Sequence, residues 1–220
     1  MKLSVLIPVY NERETVRAVL ERVASVPLDL EIIVVDDGSS DGTTALLQSL
    51  EDAQCHTIFH PENRGKGAAI RTALEAATGD VVVIQDADLE YDPADFVALL
   101  EPIERGESKV VYGVRSLDHQ EFIRRLGNIF LSLMTRILFR VPLHDMETCY
   151  KMMAKEVVEQ FTIEASGFEI EPEITAKILK LGYRIVEVPI AYTPRRERKL
   201  NPWTDGPHAL WTLVKYALRK

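Results

Sequence analysis

The sequence predicts an α/β protein: a mainly parallel central sheet flanked by helices, with an amphipathic helix at the C-terminus. Short β-branched runs alternate with longer helical patterns, the order expected of repeated βαβ units. Two of those runs, Glu31–Asp36 (EIIVVD) and Asp80–Gln85 (DVVVIQ), are apolar almost throughout, as strands covered on both faces are. The chain has 220 residues, 46% hydrophobic and 27% charged, which suits one sizeable core and leaves little room for two complete domains.

Leu3–Val9 reads as the first strand and is followed by a helix from about Glu12 to Ala24. After the strand Glu31–Asp36, a turn rich in Gly, Ser and Asp (Asp37–Gly42) starts a helix through Leu50, with Ser40 or Asp41 as its cap. Cys55–Phe59 is a weaker strand, Asn63 begins a helix through Ala77, and Asp80–Gln85 is the fourth strand. Asp92-Pro93 reads as N-cap and first helical residue, opening a helix to about Arg105, and Lys109–Gly113 is a fifth strand. Glu121–Arg140 is a long helical segment with Phe122, Leu126, Ile129, Phe130, Leu133, Ile137 and Leu138 on a broad apolar face. Arg125, Asn128, Ser132, Arg136 and Arg140 form its opposite stripe, and Pro142 ends it. An extended piece near Tyr150–Met153 precedes helices at about Lys155–Phe161 and Pro172–Leu181, then a strand at Arg184–Ile190. Tyr192–Gly206 is a basic, proline-containing loop. His208–Arg219 closes the chain as an amphipathic helix with Leu210, Trp211, Val214 and Leu218 on one face.

Acidic residues outnumber basic ones, 34 to 26, so a net charge of −8 argues against non-specific nucleic-acid binding. From Arg184 to Lys220, however, eight Lys and Arg face only Glu187, Glu197 and Asp205, which suggests an anionic partner met at one end. Cys55 and Cys149 lie far apart without redox or metal-ligand spacing, as expected of small buried residues in a reducing compartment. Met1-Lys2 leads straight into a strand pattern rather than a signal peptide, and no run reaches the roughly 20 apolar residues that span a bilayer. The expected location is cytoplasmic.

Ligands of parallel α/β sheets bind beyond the carboxyl ends of the strands. Three polar clusters fall there: Pro8-Val9-Tyr10-Asn11-Glu12, Asp36 to Gly42, and Gln85-Asp86-Ala87-Asp88-Leu89-Glu90. Carboxylates after three strands repel one another unless a cation or ligand neutralises them. Asp86 and Asp88 can turn toward one point, with Glu90 as a third oxygen donor, a set suited to Mg²⁺ or Mn²⁺ and a diphosphate. Asn63-Arg64-Gly65-Lys66-Gly67 opens a helix with two glycines and two cations, which suits a phosphate. Past these clusters, Asp145 and Glu147 are the acids best placed to act as a general base on a hydroxyl nucleophile, a help that an anionic phosphate oxygen does not need.

Taken together, PVYNE, VVDDGSSDGT, NRGKGAAIRTAL and QDADLE resemble the family 2 glycosyltransferases, nucleotide-sugar enzymes of GT-A fold. The resemblance is closest to the branch of dolichyl-phosphate and polyprenyl-phosphate sugar transferases, of the dolichyl-phosphate mannose synthase kind. There Gly113-Val114-Arg115, Asp145-Met146-Glu147-Thr148-Cys149-Tyr150-Lys151 and Trp203-Thr204-Asp205-Gly206 also fit. It implies that Pro8, Tyr10, Asn11, Glu12 and an acid of Asp36/Asp37 hold the nucleoside, with Lys66, Asp86, Ala87 and Asp88 along the nucleotide. Asp86, Asp88 and Glu90 would carry the metal. Arg115, with Arg124 or Arg125, would reach phosphate, and Arg195, Arg196 and Lys199 would serve the acceptor side. Residues 1–206 would form the catalytic domain (nucleotide-sugar half about 1–113, acceptor half about 114–206), and 207–220 the terminal helix.

The implied activity is inverting transfer of a sugar from a UDP-sugar or GDP-mannose to a polyprenyl or dolichyl phosphate at the cytoplasmic membrane face. The two amphipathic segments, edged by cations, would rest on an anionic lipid surface. Packing on the sheet or a homodimer interface are their alternative roles. The competing activities are transfer to a hydroxyl of a cell-envelope glycan or glycolipid, and nucleotidyl transfer. The latter calls for a glycine-rich loop after the first strand, and PVYNERE has no glycine. A non-catalytic binding module would be expected to have lost Asp86 or Asp88.

Overall fold

The computed structural model describes residues 1–50, 55–116, 122–195 and 202–219; the side chains of 122–124 and 202–205 fall outside that description. Seven strands form one sheet in the order β3-β2-β1-β4-β6-β5-β7. They are β1 (Leu3–Val9), β2 (Leu30–Asp36), β3 (Cys55–Phe59), β4 (Val81–Ile84), β5 (Val110–Arg115), β6 (Lys151–Ala154) and β7 (Ile185–Ile190). All neighbours pair in parallel except at β6, which runs antiparallel to both β4 and β5.

The aliphatic runs of β1, β2, β4 and β5 are buried because helices cover both faces, so Val5, Ile33, Val83 and Val111 all lose their solvent exposure. The covering helices are α1 (Val16–Ala24), α2 (Thr43–Ser49), α3 (Lys66–Ala76), α4 (Phe96–Glu104), α5 (Phe122–Phe139), α6 (Lys155–Val158), α7 (Ile170–Lys180) and α8 (Pro202–Leu218). Asp92 caps a short 3-10 turn, Pro93–Asp95, by accepting from Ala94 N at 3.0 Å, and this turn leads into α4 as the Asp-Pro pair predicts.

Helices α3 and α6 are each shorter than the sequence reading and α7 starts two residues earlier, at Ile170, while α1, α8 and α5 depart from it in ways that bear on the site and the surface. Helix α1 starts four residues after Glu12, because Glu12 is held in the strand-end loop by its N–H bond to Thr43 Oγ1. Helix α8 starts at Pro202, six residues before His208. The face of α8 turned inward is Ala209, Thr212, Leu213 and Tyr216, with Tyr216 Oη donating to the buried Glu173 at 2.8 Å; Trp211, 67% exposed, and Leu218 point outward. Helix α5 packs through a mixed stripe, Leu131, Ser132 and Thr135. It leaves Leu126, Ile129, Phe130, Leu133 and Ile137 exposed, so its most apolar face is the outer one. Arg125, Arg136 and Arg140 are exposed as well. Among the described residues, no helix is long and apolar enough to cross a membrane.

Candidate functional site

The carboxyl ends of β1, β2, β4 and β5 open into a cleft of about 400 Å³, lined by Pro8, Tyr10 and Asp37 on the β1–β2 side and by Arg115 and Glu147 on the β5–β6 side. At the first end, Asn11 takes a positive φ of 51° and clasps two loops together. Its N–H donates to Ser39 Oγ at 2.9 Å, and its Oδ1 accepts from Ser40 N at 2.8 Å. Asn11 shapes the rim rather than lining it. The two neighbouring acids also divide. Asp36 accepts from Ser39 N and the Thr44 hydroxyl and so holds its own turn, whereas Asp37 lines the cleft. Asp37 is fixed by Arg64 N at 3.0 Å, Gly65 N at 2.7 Å and His60 Nδ1 at 2.7 Å.

Those bonds already engage part of Asn63–Gly67, the segment expected to receive phosphate. The N–H groups of Arg64 and Gly65 go to Asp37, and that of Gly67 to Ser166 O at 2.8 Å. The glycines are needed for close packing: a Cβ on Gly65 or Gly67 would lie 2.2 Å from the carbonyl oxygen of Ser166 or Ala165. The Lys66 side chain lines the cleft at this helix start. It bridges Asp86 Oδ1 at 2.8 Å and Glu171 Oε1 at 3.0 Å. Burial alone would lower its pKa, but Asp86 and Glu171 hold the ammonium well above its ordinary range.

Asp86, Ala87, Asp88 and Glu90 all line the cleft. Among the described residues, no three Asp, Glu, His or Cys side chains are gathered as a ready metal cage. Glu90 holds the segment after β7, accepting from Tyr192 Oη at 3.0 Å and Arg195 N at 2.8 Å. Arg195 forks onto Glu12 with two contacts of 3.0 Å, and its Nε lies 3.9 Å from Asp88 Oδ2. Burial and the charges of Asp86 and Glu90 push the Asp88 carboxyl up to about 7, against the pull of Arg195. A hard cation would relieve that repulsion, and oxygen-only donors suit Mg²⁺ or Mn²⁺; the residues present fit such an ion at Asp86 and Asp88.

At the far end, Arg115 is buried and doubly bonded to Asp145, Nε to Oδ2 and Nη2 to Oδ1, each at 2.8 Å. Its Nη1 donates to Tyr91 Oη at 3.2 Å, and its guanidinium lies 5.2 Å from the Tyr192 ring centre. Asp145 therefore stands behind Arg115 as its positioning partner, and its own backbone N–H is held by Glu187. Glu147 lines the cleft, with Oε1 buried and without a hydrogen-bond partner among the described residues. Burial pushes its carboxyl up to about 7, with Lys151 opposing. Arg125 sits on exposed α5 away from the cleft lining; the Arg124 side chain, Arg196 and Lys199 lie outside the described residues.

Sequence reasoning missed Glu171 and Lys151 as members of the site. Lys151, with no solvent exposure, bonds Glu171 Oε2 at 2.5 Å, so a buried charge chain runs Lys151–Glu171–Lys66–Asp86. The sequence carried little sign of either: Glu171 lies just ahead of the helix start expected at Pro172, and the structure begins α7 at Ile170.

A cleft at the strand ends of an α/β sheet, with acids at its centre and a buried arginine beyond them, has the charge pattern of a site for a phosphate-bearing substrate. The model of Glycosyl transferase family 2 matches residues 4–162, and the chain belongs to that family. It is 34% identical over 215 residues to a dolichol-phosphate mannosyltransferase of Pyrococcus furiosus, covering 91% of this chain and 60% of that protein. It is 30% identical over 208 residues to a polyprenol monophosphomannose synthase of Mycolicibacterium smegmatis, covering 87% and 77%. Among solved structures, glucosyl-3-phosphoglycerate synthase of Mycobacterium tuberculosis superposes with a TM-score of 0.80 at 22% identity, covering 98% of this chain and 80% of that one. That likeness extends to the fold, which is GT-A.

Proposed function

We propose that the protein transfers a sugar, with inversion, from a UDP-sugar or GDP-mannose to a polyprenyl phosphate at the cytoplasmic face of a membrane. The observation that carries this reading is helix α5: it follows the strand that ends in Arg115, and it exposes five large apolar residues beside three arginines. Apolar surface edged by cations favours an anionic lipid interface. The two relatives are named for mannosyl transfer to dolichol phosphate and for polyprenol monophosphomannose synthesis, which supports the acceptor class.

In this reading Pro8, Tyr10, Glu12 and Asp37 line the nucleoside end, while Asn11 and Asp36 shape the rim. Asp86 and Asp88 would hold Mg²⁺ or Mn²⁺, which would supply positive charge opposite the departing diphosphate. Lys66 and Arg195 contribute positive charge along the same diphosphate. Arg115, oriented by Asp145, aligns the acceptor phosphate. A phosphate oxygen bonds to the sugar C1 as the bond from C1 to the nucleoside diphosphate breaks. Because that oxygen is already anionic, the engagement of Asp145 with Arg115 costs the reaction no base. The test is transfer of radiolabelled sugar from a donor panel to undecaprenyl or dolichyl phosphate in anionic liposomes. Transfer to a soluble hydroxyl acceptor alone would overturn this reading.

A further inference from the structure

We propose that Glu147 selects the donor: its carboxylate accepts a hydrogen bond from one hydroxyl of the sugar being transferred. The inference rests on the transferase reading above and deepens it. In the sheet order, β2 and β1 carry the nucleoside end of the cleft, β4 carries Asp86 and Asp88, and β6 and β5 lie beyond. A nucleoside diphosphate sugar laid across those strand ends brings its sugar to the β6–β5 end, where Glu147 and Arg115 line the cleft.

The acids at that end differ in what they have left to offer. Both oxygens of Asp145 are engaged by Arg115, and both of Glu171 by Lys66 and Lys151. Glu147 is different: its Oε1 has no partner among the described residues although the atom is buried. A buried acceptor left unmet is costly, and native sites keep one where a ligand completes it. A hexose supplies O–H donors of the required kind. Sites built to bond a substrate hydroxyl discriminate strongly against an analogue lacking it, so this carboxylate would set sugar choice rather than nucleotide affinity.

The experiment uses the full chain, the nucleotide sugar that it turns over, and the deoxy analogues of that donor. Wild type should lose about 10- to 100-fold in kcat/KM with one particular deoxy donor. In Glu147→Ala, and in the volume-conserving Glu147→Gln, the intact donor should fall toward the same level and that deoxy donor should lose little more. Affinity for the free nucleoside diphosphate should stay within about twofold, which also reports an intact fold. If both variants keep the full penalty for every deoxy donor, the inference is overturned. It is equally overturned if all donors fall together and the acidic limb of the pH profile disappears, the behaviour of a general base. Failure of wild type to turn over any nucleotide sugar overturns the transferase reading itself, and the inference with it.

Discussion

Asp88 and Arg195 carry opposite charges in one small volume, and each makes a separable prediction. The raised pKa of Asp88 means that ionising it costs the fold free energy, a cost that sets in above the ordinary carboxylate range and is complete above about pH 7. In EDTA at neutral pH, Asp88→Asn should therefore melt no lower than wild type by calorimetry, while with Mn²⁺ supplied its transfer activity is abolished. A variant that melts well below wild type, or that keeps its turnover, contradicts the ligand role. Arg195 sets a positive charge beside the cleft acids in the resting protein, forked on Glu12 and 3.9 Å from Asp88. Removing it should strengthen Mn²⁺ binding to the nucleotide-free protein and weaken metal-dependent diphosphate binding. For a partly exposed ion pair of about 1 kcal/mol, each change is about fivefold by titration calorimetry. Changes of the same sign in both titrations would contradict that dual role.

Among the elements, strands were the most legible in sequence and helix orientation the least. The buried strands announce themselves because a run such as VVVI has no polar face to hide. The antiparallel β6 does not: four residues, KMMA, carry no directional signal. The cleft carboxylates were legible because their strand-end positions follow from the fold. Asp36 and Asp37 could not be told apart, since only the contacts of Asp37 with Arg64 N and Gly65 N reveal which one turns inward. Glu171 was hidden because its partners, Lys66 and Lys151, lie 105 and 20 residues away. A comparable long-range knot ties the other end of the sheet, where Glu31 accepts from Lys2, Ser4 and Thr78. Burial opposes ionisation there, but those hydrogen bonds outweigh it and bring the carboxyl down to about 2. A depressed pKa gives stability that is present above the unfolded value near 4.5 and declines as pH falls toward 2. Glu31→Gln should lower the melting temperature by about 2–4 °C at pH 7, roughly 1 kcal/mol once solvent screening is allowed for. The gap should narrow steadily in melts taken down to pH 3; a gap independent of pH would mean that packing, not charge, is lost.

For the whole molecule, the question is which way an acidic protein turns toward an anionic surface. The net charge of −8 repels it, yet the outer face of α5 joins five exposed apolar side chains to Arg125, Arg136 and Arg140. Helix α8, packed against α5, adds exposed Trp211 and Leu218 with Lys215 and Arg219. Charge steers the approach only within a Debye length, about 8 Å at physiological salt. Apolar burial must then hold the molecule, so adding salt should weaken binding without abolishing it. Ile129 and Ile137 are each about half exposed or more, at 49% and 60%. Burying what remains of both is worth roughly 2 kcal/mol, or about 30-fold in partitioning. The double variant Ile129→Gln/Ile137→Gln should therefore lose about that much affinity for liposomes containing anionic lipid. Its melting temperature and nucleotide affinity should stay unchanged, since neither side chain is in the core or the cleft. Sedimentation equilibrium of the same pair of proteins tests the other covering for this face. A wild-type dimer that the substitutions dissociate, with liposome binding unaltered, would mean that a second copy of the chain, and not lipid, lies against α5.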